Sequence, residues 1–169
     1  MGIRVRCVDI CKVYESKIPL DTTGIIQCIQ AAMYEERQIG FCGGLIYFTE
    51  WELNTRRITT KIMERLRGSY GVADWPMTCP GHLFAQNEID DYEAFVALAA
   101  LFQWEGHFIP THGKYFMFLH EPDRLYIAVR ENVPTMIDAI GKLCPVRELA
   151  PKDVWYRAFC QDAENNPGR

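Results

Sequence analysis

Apolar and polar residues alternate along residues 3–14, IRVRCVDICKVY. Ile3, Val5, Cys7, Cys11 and Val13 share one face with Asp9 among them, while Arg4, Arg6 and Lys12 share the other with Val8 and Ile10. A period of two predicts a strand with one buried face, ended by Pro19. The period then changes. Ile25, Cys28, Ile29, Ala32 and Met33 recur at steps of three and four, which predicts a helix capped by Asp21 or Thr22 and stopped at Gly40. GGLIYFTEWEL, rich in β-branched and aromatic residues, predicts a strand with Leu45, Tyr47, Thr49 and Trp51 on one face. Ile46, Phe48, Glu50 and Glu52 fall on the other. A turn at Asn54 and Thr55, a short return strand over 56–59 and a short helix ending at Gly68 follow.

Residues 89–106, IDDYEAFVALAALFQWEG, form the most apolar helical pattern, with Asp90 and Asp91 at the end where the helix dipole favours negative charge. GKYFMFLHEPDRLYIAVRE reads as a hairpin turning at EPD, since Pro122 presets the backbone of a tight turn. A helix over 132–145 directs Ile137, Ile140, Leu143 and Cys144 inward, and a last helix over 150–161 carries Pro151 in its first turn. The pattern predicts an α+β fold, an antiparallel sheet packed by helices, in one domain over 1–169. Residues 23–67 and 90–144 each read α-β-β-α. Two pseudo-repeated halves, 1–70 and 88–161 joined by the loop 71–87, are one arrangement; a single sheet alternating with helices is the other. Residues 162–169 read as a disordered tail.

Composition narrows the function classes. Hydrophobic residues make up 49% and charged residues 24%, enough apolar surface to exclude disorder as the main state. The net charge of −4 argues against a nucleic-acid partner, because phosphate recognition draws on a basic excess. The local cluster Arg56, Arg57, Lys61, Arg65 and Arg67 reads as a solvated helix face. Seven cysteines, an odd and irregularly spaced set, follow no apolar leader, so reduced thiols and a cytoplasmic setting are expected. No apolar run reaches the ~18 residues that a membrane-spanning helix requires.

The phosphate-cradling, zincin and hydrolase signatures are absent from the sequence. Three constellations could carry chemistry. Cys79, His82, His107 and His112 form a Cys-x-x-His and a His-x4-His pair, the ligand types and close spacings of a zinc site, although a long helix separates the two pairs. Cys79 near Asp74, or Cys42 within GFCGG, could act as a nucleophile if a neighbouring cation lowered its pKa; both also fit inert loop positions. Glu50 and Glu52, two residues apart on one strand face, could share a metal or act as acid and base, and equally suit the wet face of an edge strand. The stretch 71–91, GVADWPMTCPGHLFAQNEIDD, reads mainly as the joint between the halves, stiffened by Pro76 and Pro80.

Aromatic residues point elsewhere. Four Trp, eight Tyr and nine Phe are more rings than the interior of a small domain must hold. Trp and Tyr concentrate at interaction hot spots. Trp51, Glu50, Glu52, Trp75 and Asp74 are therefore the expected partner-binding residues of an inhibitory or regulatory protein-binding module. Its partner would be a basic protein or a second copy of the chain, with no cofactor. Trp104 and Trp155 are expected in the core. The alternative is an enzyme or ligand-binding protein using Cys79, His82, His107 and His112, with zinc as its metal.

Overall fold

The computed structural model describes residues 12–50, 61, 64–65, 67–69, 81–120, 123–131 and 133–161. Among these residues, seven strands form one antiparallel sheet: β1 Lys12–Lys17, β2 Gly44–Glu50, β3 Gly81–Phe84, β4 Glu105–Pro110, β5 Tyr115–His120, β6 Arg124–Val129 and β7 Val146–Glu148. Their order across the sheet is β3-β2-β4-β5-β6-β1-β7. The five helices with fully described bounds are α1 Thr22–Ala32, α2 Tyr34–Ile39, α3 Ile89–Leu101, α4 Pro134–Gly141 and α5 Val154–Gln161. Residues 61, 64–65 and 67–69 are also helical.

The two sheet faces follow from pairing, since residues opposite one another in antiparallel strands project to the same side. Ile46 stands between His82 and Phe108. Met117 pairs with Ile127. These residues, with Phe48, Phe84, Leu119 and Leu125, meet the buried sides of α1, α3 and α4 in the main core. The second face is smaller and more polar. Val13, Phe116, Phe118, Tyr126, Ala128 and Leu149 form its apolar cluster, against which Trp155 and Tyr156 of α5 pack.

The first helical segment caps as its sequence dictates: the Asp21 side chain accepts a hydrogen bond from the Gly24 N–H at 2.8 Å. Ile25, Cys28, Ile29, Ala32 and Met33 are all buried. The segment breaks at Met33 into α1 and α2. Gly40 ends α2 with a φ of +82°, in the left-handed region open to glycine.

Further parts of the chain differ from the sequence expectations. The helix expected over 89–106 stops at Leu101, and Gln103 turns the chain with a φ of +58°. Glu105 and Gly106, expected at the end of that helix, and residues 107–110, between it and the expected hairpin, form β4 near the centre of the sheet. Gly106, His107 and Pro110 hide a strand whose alternation is nonetheless plain, with Gly106, Phe108 and Pro110 buried. Within the expected joint 71–87, Gly81–Phe84 pair with β2 as an edge strand, too short for its alternation to register. Leu143, expected inward, is exposed, because the turn after α4 buries Cys144 instead. The return strand over 56–59, the turn at Asn54 and Thr55, and the tail 162–169 lie outside the described residues.

Candidate functional site

Two of the residues expected to bind zinc, His82 and His107, project to opposite faces of the sheet. His82 pairs with Ile46 and projects to the helix side of the sheet, where it lies against Phe84 and Phe95 with ring centroids at 4.5 and 5.1 Å. Burial, and then the charge of Arg67, lower its pKa from the ordinary value. His107 pairs with Tyr47 and Phe118 and projects to the opposite face, stacked on Phe118 at 4.5 Å. Burial lowers its pKa as well. One ion cannot reach two histidines on opposite sides of a sheet. Cys79 lies outside the described residues, and among those described no three His, Cys, Asp or Glu side chains are grouped to hold a metal.

His112 has a different role. The Gly43 carbonyl accepts from both the N–H and the hydroxyl of Thr111, at 2.9 and 3.0 Å, which fixes the β4–β5 loop beside the start of β2. From that loop the Lys114 N–H donates to His112 Nδ1 at 3.0 Å. The proton of a neutral ring therefore sits on Nε2, which donates to Glu36 Oε1 at 2.5 Å. The Tyr115 hydroxyl donates to the same oxygen at 2.6 Å. Glu36, from α2, is wholly buried. Tyr92 of α3 lies close enough for Glu36 to raise its pKa, although burial is the larger cause; Tyr115 is raised by the same two effects. This Glu-His-Tyr cluster joins α2 to the sheet. Both nitrogens of His112 are engaged within the fold, so the ring has none left to serve as a base toward a substrate. Sequence reading missed Glu36, because a carboxyl on a six-residue helix resembles any solvated one.

The second sheet face is the more open surface. Leu83, Leu45 and Ile109 form one row across β3, β2 and β4. Tyr47, His107 and Phe118 form the next row across β2, β4 and β5. At the β3 edge, Leu83 is 65% exposed and Tyr47 43%, whereas Phe118 further in is 6% exposed. Toward α5 the rings continue: His120 lies 4.4 Å from Trp155, which in turn lies 5.1 Å from Tyr126. Glu105 Oε1 approaches His120 Nδ1 at 2.5 Å. On the far side, Glu15 accepts from Arg124 at 2.7 Å and from Arg147 at 2.6 Å, so its charge is neutralised in place. The face thus runs from an apolar edge at β2 and β3, through half-buried rings, to a closed ionic cluster at β1 and β6.

Of the expected partner-binding residues, Trp51, Glu52, Trp75 and Asp74 lie outside the described residues, and only the backbone of Glu50 is described. A register shift between Phe48 and Glu50 sets Glu50 opposite Glu105 and interrupts the alternation expected to place Glu50 on the face of Ile46 and Phe48. Trp104 is buried in the main core, as expected. Trp155 is only half-buried, on the second face. Cys42 is an exposed free thiol whose Sγ donates to the Gly40 carbonyl at 3.4 Å. No helix among the described residues is long and apolar enough to cross a membrane. Neither a protein-family model nor a curated protein matches the sequence.

Proposed function

We propose that this chain is a protein-binding module of the inhibitory or regulatory kind, docking through the second sheet face at its β2–β3 edge. One observation carries the reading: Leu83 and Tyr47, 65% and 43% exposed, project from the same face of the β2–β3 pair and continue into a row of rings. Apolar side chains grouped at a sheet edge are a liability in water, and a partner's surface relieves it. Aromatic rings supply contact area with little loss of conformational entropy. Glu50 ends β2, Trp51 and Glu52 directly follow it in sequence, and Asp74 and Trp75 precede β3. They would supply further rings and an acidic rim, suited to a basic protein.

The test compares capture by the wild type and by Leu83→Asp from the native host's lysate, with circular dichroism confirming that both are folded. A prey retained by the wild type and lost with Leu83→Asp supports the reading. A prey retained equally by both, or none retained by the wild type, refutes it. Sedimentation at increasing concentration reports whether the partner is a second copy.

A further inference from the structure

We propose that Cys28 and Cys144 are a disulfide-forming pair, an oxidative modification site inside the fold that peroxide closes. Their sulfurs lie 3.4 Å apart although 116 positions separate them in the chain. Both are free thiols and both are buried. Cys28 sits on the inner stripe of α1. Cys144 sits in the turn after α4, where its N–H donates to the Ile140 carbonyl at 2.9 Å. The next residue, Pro145, accepts from the Ser16 hydroxyl of β1 at 3.3 Å. Each thiol therefore stands on a backbone anchored independently of the other. Closing from 3.4 Å to the ~2.05 Å of a disulfide asks for a small rotation of the side chains and no change of fold.

The chemistry balances with hydrogen peroxide as oxidant. One sulfur attacks a peroxide oxygen, the O–O bond breaks, and a sulfenic acid and water result. The second sulfur displaces the sulfenic oxygen as another water, forming the S–S bond. Two thiol protons end in water, and two electrons pass to the peroxide. Burial, and then the neighbouring Cys144, push the Cys28 thiol above its ordinary range, so the resting pair reacts slowly. Reaction proceeds during local opening of the turn after α4. Once formed, the bond ties the helical layer to the β1–β7 side of the sheet and, being buried, resists small reductants while the protein stays folded.

The experiment uses the full chain carrying Cys42→Ser, which removes the exposed described thiol. It is treated with a modest excess of hydrogen peroxide, blocked with iodoacetamide, digested without reduction and analysed by mass spectrometry. The expected result is one dominant linked peptide pair containing Cys28 and Cys144, with a thermal midpoint raised by about 10 °C and restored by dithiothreitol under partly denaturing conditions. Cys144→Ala in the same background should lose both the linkage and the shift. Should that variant fail to fold, the linkage map and the dithiothreitol reversal of the parent decide alone. Recovery of Cys28 and Cys144 as separate alkylated or sulfinic residues, or dominant linkage of either to another cysteine, overturns the proposal.

Discussion

Removing the Glu36 carboxyl is the most informative perturbation of this fold. Its Oε1 is the common acceptor for His112 Nε2 and the Tyr115 hydroxyl. Glu36→Ala leaves two donors inside the protein without an acceptor. A buried unsatisfied donor costs about 1–3 kcal/mol, and truncating the side chain also forfeits packing of roughly 0.8 kcal/mol per buried methylene. Two effects reduce the total. Glu36 Oε2 makes no hydrogen bond among the described residues, so deleting it relieves a desolvated acceptor. His112 retains 11% side-chain exposure and can recover some hydration. The expected net loss is about 3 kcal/mol, a large share of the 5–15 kcal/mol that stabilises an ordinary domain. Tyr115→Phe removes one donor and leaves the His112 bond, so about 1 kcal/mol is expected. Glu36→Gln keeps the shared acceptor oxygen but sets an unpartnered amide NH2 in place of Oε2, so it should cost about 1–2 kcal/mol, less than Glu36→Ala. Urea unfolding followed by tryptophan fluorescence measures all three, and an unchanged m-value confirms that stability alone has moved. If Glu36→Ala costs under about 1 kcal/mol, or Glu36→Gln costs as much as Glu36→Ala, the shared-acceptor argument is wrong.

Other consequences can be checked by the same unfolding measurements. His82 and His107 have lowered pKa values in the fold, so below about pH 6.5 the unfolded chain binds protons that the folded chain refuses. Stability should fall as pH drops from there toward the folded values, and His107→Phe should flatten that slope in urea titrations. Cys28, Tyr92 and Tyr115 have raised pKa values, so stability should also fall as pH rises above the unfolded thiol and phenol values, about 8.5 and 10; a midpoint that is flat up to pH 11 would contradict this. Asp21→Ala removes the α1 cap and should cost about 1 kcal/mol, whereas Asp21→Asn should cost little. Gly44→Ala would place a methyl carbon 2.7 Å from Tyr92 Cε2, so it should lower the thermal midpoint by several degrees even though its backbone suits any residue.

The local pattern of the chain determined the elements whose patterns are long and regular. The stripe of Ile25, Cys28, Ile29, Ala32 and Met33, the Asp21 cap and the β5–β6 hairpin follow from periodicity and turn chemistry, because one buried face imposes one period. The antiparallel α+β class follows from the same signals. Where the strands sit in the sheet was left to tertiary structure. β4 is hidden by Gly106 and Pro110, residues disfavoured in strands, which are tolerated there because Gly106 packs against Phe48 and Pro110 ends the strand. β3 has four residues, and only its pairing with β2 makes it a strand. The candidate surface shows the same division. Sequence supplied the aromatic content, but pairing alone decided that Leu83, Tyr47, His107 and Phe118 share a face while His82 turns to the other. The Cys-x-x-His and His-x4-His spacings carried no information about that choice, because a shift of one residue along a strand reverses the side to which a side chain points. Glu36 gives the last case. Its neighbours in sequence mark it as a surface carboxyl, and only residues 76 and 79 positions away, His112 and Tyr115, make it a buried shared acceptor.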